Sequence, residues 1–429
     1  MPRTKQKAEN NQIINGLFVI SESFKRAGIS DDDLMDTLHS IDFIHYFDNV
    51  KDFRNRDMIT YRLSDLLMMA FLTILANGVN SFWGIADHVR ICHEKYEKYG
   101  LLKDGRYPSH DTFRRVFSLI SPQNLYEQTI QVFYDFLRSL EDLASGRTTY
   151  KQWMFDGKEV RGSGRSEDSK NPRKNANVMN VYDSSLQTCI HSEVIPDKTN
   201  EIPTVQEFLR GLNLKNVVLT ADAMHCQKET ASIIADQKGI YVFPVKDNQK
   251  LLREEIIARM GRSSAKIQKI EMKKRRFEAL FLPKGYACDG FTGMKLFIKM
   301  ESVAHSDKKP TTMYFISNGK DVNVVCQAIA NRWDIENGLH KEKDTFLNED
   351  RFRSAEKNTI NCLAVMNNFA MQIVRIYQSI SGLELREAKI YARNYPMETF
   401  QKIASIMGSD KAKAKIAAEM KKIKKLGIC

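Results

Sequence analysis

Residues 151–160, KQWMFDGKEV, and residues 216–224, NVVLTADAM, decide the fold. Each carries a short apolar run to one aspartate, Asp156 after WMF and Asp222 after VVLTA. Short apolar runs bounded by turn residues read as buried strands. An acid at the carboxyl end of such a strand stands where ligands of α/β sheets gather. Gly157 lets another group approach the backbone closely. A single aspartate there can equally cap a turn or the next helix, but two in one sheet point toward a site.

Working outward, NVMNVYDSS (177–185) and TCIHSEVIP (188–196) read as two more strands, joined as a hairpin across Asp183-Ser184-Ser185. A helix is expected near 205–212, another over 227–237, and a strand in IYVFPVKDN (240–248). Strands alternating with helices imply an α/β domain with a mixed sheet. KIQKIEMKKRRFEALFLP (266–283) and MKLFIKMESVAH (294–305) are basic and strand-like, so 251–311 reads as a β-rich insertion. Helices resume near Val322.

Upstream, 59–137 has the apolar stripes of helices. Residues 66–76, LLMMAFLTILA, fall short of the roughly 20 needed to cross a bilayer and read as a buried helix. In YPSHDTFRRVFSLISP (107–122), Pro108 and Ser109 precede a helix whose Phe113, Val116, Phe117 and Ile120 share one face. Arg114 and Arg115 lie off that stripe. The expected layout is a polar segment (1–40), an all-α domain (41–142), an α/β core in two pieces (148–250 and 312–400), the insertion (251–311) and a basic tail (401–429). A loop is expected at 143–152. Residues 411–429 hold seven lysines against one glutamate, and Ile416, Met420 and Ile423 recur at helical spacing. That tail is either an amphipathic basic helix with a DNA-contacting role or a frayed, solvated end.

Composition narrows the function classes. The 429 residues are 42% hydrophobic and 28% charged, which suits a globular chain rather than a disordered one. The net charge of +12 suggests a polyanionic partner, nucleic acid foremost. Seven scattered cysteines without a CxxC fit reduced thiols and offer no zinc site. The opening MPRTKQKAENNQ lacks an apolar run, so no secretory leader is expected.

A third acid lies in RWDIENGLHKEK (332–343). At about 100° per residue, Arg332, Glu336, His340 and Lys343 fall within an arc of about 80°. Such a face can be an ordinary ion-paired surface. Three carboxylates from two strands and a helix would also suit Mg²⁺, which prefers hard oxygen ligands. Two such ions can serve the attacking and leaving oxygens of a phosphoryl transfer.

The wording of these segments resembles the DDE transposases of bacterial insertion sequences, in the branch that includes the H-repeat-associated proteins. FDGKEVRGS (155–163), DKTNEIPTVQEFL (197–209), LTADAMHCQKETA (219–231), YVFPVKDNQKLL (241–252) and RWDIENGLHKEKDTFLNEDRFR (332–353) match its motifs in order. The likeness runs from about residue 45 to about 375. Ile329 stands where the wider group has a tyrosine, and Lys341 where this branch has a tryptophan.

The resemblance implies a ribonuclease-H-like core with a β-rich insertion and a DNA-binding all-α N-terminal domain. It implies Asp156, Asp222 and Glu336 as catalytic, metal-binding acids for Mg²⁺ or Mn²⁺, with two ions. Arg332 and Lys343 would contact phosphate, with Lys246, Asn248, Gln249, Lys158, Arg161 and His340 as further DNA contacts. The implied activity is binding of inverted-repeat ends, metal-dependent cleavage and strand transfer. Double-stranded DNA is the partner, as transposon ends and target, and a dimer is expected in the synaptic complex. The implied location is the bacterial cytoplasm at the nucleoid, with no membrane partner. A catalytically inactive DNA-binding derivative, or a nuclease of the same fold without strand transfer, stays open as an alternative.

Overall fold

The computed structural model describes residues 16–34, 46–55, 57, 59–78, 81–103, 105–144, 150–164, 174–196, 200–262, 266–286, 290–302 and 311–425. Parts of the polar segment (1–15 and 35–40) and of the expected loop (145–149) lie outside the described residues. Among the described residues nine strands follow in chain order: β1 (Lys151–Val160), β2 (Ala176–Asp183), β3 (Thr188–Val194), β4 (Val217–Thr220), β5 (Ile240–Val245), β6 (Gln268–Met272), β7 (Arg275–Phe281), β8 (Leu296–Ser302) and β9 (Thr312–Ser317). They form one sheet in the order β3-β2-β1-β4-β5-β9-β8-β7-β6. β1, β4 and β5 run parallel, and every other pairing is antiparallel. The strands of the insertion therefore extend the core sheet through β9 rather than forming a separate layer.

Strand alternation sorts the side chains onto two faces. Phe155, Val217 and Leu219 bury into one core with Val205, Leu209, Ala231 and Ile256. Val218 and Val242 face the other side with Val325, Cys326 and Ile329. β4 pairs with β1 only as far as Thr220 opposite Met154, while β1 continues to Val160. Asp156 thus stands beyond the end of its parallel neighbour, where a crevice opens.

Helices build the rest of the molecule: α1 (Gly16–Ala27), α2 (Leu63–Asn77), α3 (Phe82–Ile91), α4 (His93–Lys98), α5 (His110–Leu119), α6 (Pro122–Tyr126), α7 (Val132–Ala144), α8 (Glu201–Leu209), α9 (Lys228–Asp236), α10 (Lys250–Arg262), α11 (Val322–Asn331), α12 (Lys341–Phe346), α13 (Lys357–Ser381), α14 (Leu385–Asn394), α15 (Pro396–Gly408) and α16 (Asp410–Lys425). The expected core and tail boundary at 400 does not separate two bodies. α13 to α16 share one apolar core with α1 to α7. Phe369 of α13 sits 4.9 Å from Phe71, 5.3 Å from Phe133 and 6.2 Å from Phe400. Ile416, Met420 and Ile423 are buried in that core, so the basic tail is a packed amphipathic helix. No single helix among the described residues is long and apolar enough to cross a membrane.

Two of the contacts that dock the helical body on the sheet are between buried charges. Arg138 of α7 pairs with buried Asp183 at the β2–β3 turn, where Tyr134 and Trp153 also donate to Asp183 at 3.1 and 3.2 Å. The second is a buried ion cluster. Lys158 of β1 meets Asp344 (2.7 Å), Glu349 (3.1 Å) and Asp350 (3.0 Å), and Lys343 meets Glu349 at 2.8 Å and Asn180 at 3.4 Å. Both amines, expected at a DNA surface, point into the protein. Lys158 shares the inward face of Asp156 by strand parity, and Lys343 is fully buried.

Burial pushes the Glu349 carboxyl up, but Lys343 and Lys158 outweigh it and hold the carboxyl at about 2. A depressed carboxyl contributes stability that is whole above its unfolded value, 4.5, and is lost as pH falls from there toward 2. Removing one partner of a buried pair strands the other charge, at a cost of about 3–5 kcal/mol. Glu349→Gln should therefore lose about that much stability at pH 7 in denaturant titration. The gap between variant and parent should narrow between pH 4.5 and 2; a pH-independent gap would argue that the carboxylate charge is not the cause.

Candidate active site

Asp156 in mid-β1, Asp222 two residues past β4, and Glu336 past α11 line one crevice. Met154, Phe155, Thr220, Ala221, Arg332 and Ile335 complete its walls. Gln152 sets the depth of the helix that brings Glu336. This buried side chain donates to Thr220 Oγ1 (3.3 Å) and the Ala328 carbonyl (2.8 Å), and accepts from Asn331 Nδ2 at 3.1 Å. Such a satisfied buried network holds α11 in a single position on β1 and β4.

The helix is not uniform where the third acid sits. α11 ends at Asn331, and Glu336–His340 forms a π-turn before α12. A π-turn bonds each residue to the one five ahead, so the side-chain phase shifts across it. Arg332 and Glu336 keep the crevice face, His340 lies beside Asp156, and Lys343 rotates inward. The even α-helical arc predicted for all four residues holds only up to His340.

Basic side chains lie beside two of the acids. Arg332 Nη2 donates to Asp222 Oδ1 at 2.8 Å, and its guanidinium stacks 4.8 Å above Trp333. Arg275 of β7 covers the same indole at 4.4 Å and donates to the Ala330 carbonyl at 2.8 Å. His340 Nδ1 stands 3.2 Å from Asp156 Oδ2. His340 thus faces an acid of the site instead of projecting to solvent as a DNA contact. Among the described residues, no three His, Cys, Asp or Glu side chains are grouped closely enough to hold a metal. The donor chemistry, three carboxylates with Asp222 53% exposed, fits a hard divalent cation.

The other expected contacts divide. Arg161 is 76% exposed, with Asp350 3.7 Å away. Lys246 is exposed at the end of β5, the carboxyl edge where the crevice opens. Asn248 and Gln249 are committed to the protein: their amides donate to the carbonyls of Ala223 (2.7 Å) and Cys226 (3.0 Å). They brace the turn that follows Asp222.

One residue near the site was not singled out from sequence. Glu201, the first residue of α8, lies against Gly157 so tightly that a Cβ there would overlap its Oε1. Its carboxylate accepts from Asn177 at 3.1 Å and faces buried His225 Nε2 at 3.4 Å. The His225 ring, with help from Asn177, holds the Glu201 carboxyl below the usual carboxylate range against the opposing effect of burial. Glu201 thus joins the backbone after Asp156 to the turn after Asp222, from the sheet face opposite the crevice. The glycine directly after the first acid was the available sequence signal.

Comparison with known proteins places this geometry. Residues 148–373 match the family described as Transposase DDE domain, and residues 44–132 match the DDE_Tnp_1-associated family. The chain is 26% identical to "Putative protein YbfL" of Escherichia coli (strain K12), over 81% of this chain and 94% of that one. It is 25% identical to "H repeat-associated putative transposase YhhI" of the same strain, again over 81% and 94%. Among solved structures, piggyBac transposase in a synaptic complex with hairpin DNA aligns at a TM-score of 0.40 and 13% identity. That alignment covers 90% of this chain and 81% of the other, and the fold assignment does not rest on it. With the family match spanning the strands and helices that carry Asp156, Asp222 and Glu336, the chain belongs to the Transposase DDE domain family.

Proposed function

We propose that this protein is an active transposase that binds the inverted-repeat ends of its own element, cuts them and transfers the freed strands to target DNA. The observation that carries the reading is the meeting of Asp156, Asp222 and Glu336 in one crevice of a chain from this family. The order β3-β2-β1-β4-β5, with acids on β1, after β4 and on a late helix, supports a ribonuclease-H-like core. Asp156, Asp222 and Glu336 would hold Mg²⁺ or Mn²⁺, as two ions. When bound, such ions lower the barrier to in-line attack on a phosphodiester by an activated oxygen.

The chain's own residues supply position and charge. Arg332 has its guanidinium at the crevice and would pass from Asp222 to a phosphate oxygen, which it can hold in bidentate fashion. Lys246 and Arg161, both exposed, would extend the cationic rim along the strand. His340 would keep Asp156 oriented. Asn248, Gln249 and the Glu201–His225 pair would keep the two aspartate-bearing segments from drifting apart. Synapsis of two ends would need a dimer, working at the bacterial nucleoid.

Two experiments test this. The full chain is incubated with Mg²⁺ or Mn²⁺ and a DNA fragment spanning the gene and its flanks, and cleavage is mapped on a gel. Asp156→Ala, Asp222→Ala and Glu336→Ala should each cut at least about 100-fold more slowly, the scale of losing one charge-stabilising group. A variant that cuts at the parental rate leaves the triad.

The second is a double-mutant cycle. Gly157→Ala should destabilise by about 1–3 kcal/mol, the usual cost of overpacking. Combined with Glu201→Ala, which removes the obstruction, it should cost clearly less than the sum of the two changes. Strict additivity would show that Glu201 is not what Gly157 makes room for.

A further inference from the structure

We propose that a groove beside Trp83, between the helical body and the 351–353 segment, binds an unpaired nucleotide of the DNA strand that crosses the acidic crevice. The proposal rests on the DNA-cutting reading and adds a site to it. The groove encloses about 680 Å³ and is lined by Trp83, His110 and Arg114 on one side and Arg351, Phe352 and Arg353 on the other. That size falls in the range of small-ligand sites.

Trp83 leaves 62% of its surface exposed. His110 stacks on it at 3.5 Å between centroids and 16° between planes, which pre-sets the indole as the start of a stack. A base can continue that stack, because every base has a π-face and needs no particular sequence. In an intact duplex the base faces are already covered by their neighbours. A frayed or overhanging nucleotide has such a face free.

The cations match the phosphate of that nucleotide. Arg114 is paired with Asp111 at 3.0 Å, on the exposed face of α5. Arg351 and Arg353 are exposed and form no ion pair among the described residues. Their segment is fixed in place. Phe352 between them is buried, edge-on to Phe82 at 5.3 Å, and its carbonyl lies against Gly162 where a Cβ would not fit. The backbone at Phe352 is extended, so burying that side chain turns both neighbours outward.

The groove also has the right address. Asp350, directly before Arg351, holds Lys158, and Lys158 lies two residues beyond Asp156 on the same face of β1. Two residues of a strand span about 7 Å. The groove therefore adjoins the ion cluster that anchors the strand of the first acid.

The test uses the full chain and two fluorescein-labelled DNAs, a blunt duplex and the same duplex with a short single-stranded dT tail. Affinities are read by fluorescence anisotropy over a salt series. Trp83→Ala should lower the ratio of tailed to blunt affinity by about 10-fold, the scale of losing one base–aromatic stack, and Trp83→Phe should restore most of it. The double change Arg351→Ala, Arg353→Ala should weaken binding and flatten the salt dependence by about 0.7–0.9 in slope per arginine. An unchanged ratio in Trp83→Ala, with duplex binding intact in the parent, overturns the groove and leaves the DNA-cutting reading standing. Failure of the parent to bind either DNA overturns that reading itself. Competition by free dTMP as strong as by the tailed duplex would assign the groove to a free nucleotide and overturn the DNA strand as its occupant.

Discussion

Three carboxylates in one crevice repel each other, and the fold must offset that repulsion before any ligand arrives. Arg332 supplies opposite charge to Asp222 at 2.8 Å, and the His340 ring nitrogen faces Asp156 at 3.2 Å. Everything that positions these two side chains is therefore part of the site: the Gln152 network under α11, the π-turn at Glu336–His340, and Trp333 held between Arg332 and Arg275. Because Arg275 lies on β7, the strands of the insertion buttress the third acid while extending the sheet.

The sheet and its acids were legible because their signals are local. WMFD and VVLTAD are apolar runs that end in an acid, and the chain folds them as adjacent parallel strands. The amphipathic tail helix was one of two readings of Ile416, Met420 and Ile423, and its partner was not legible at all. Nothing in a lysine-rich stretch announces that it will pack on helices from the other end of the chain. The same limit applies to α14 and α15, which the sequence pattern cannot assign to one core or another.

The burial of the two lysines was not legible, for a different reason. The resemblance implied Lys158 as a DNA contact, yet the side chain turns in toward Glu349, Asp344 and Asp350. Lys343 falls on the right face only if the helix keeps a constant 100° step. The π-turn breaks that step, and no composition signal marks it. Glu201 escaped notice because its role depends on Gly157, some forty residues away, having no side chain.

These differences sort the ion pairs into two kinds, and burial is the variable that separates them. The Lys158, Lys343 and Glu349 cluster is buried, so breaking it leaves charges with no water to receive them. Such cations cannot leave their partners to meet a phosphate. Asp222 is half-exposed, so water and a bound cation can take over its charge when Arg332 withdraws. An exposed partner makes a pair cheap to exchange, since pairs in solvent contribute only about 0–1 kcal/mol. The basic excess of the chain is thus divided by solvent access rather than by sequence position. The inner lysines fix the strand of the first acid to the loop after the third. The outer arginines, Arg161, Arg351 and Arg353 among them, remain available to an incoming polyanion.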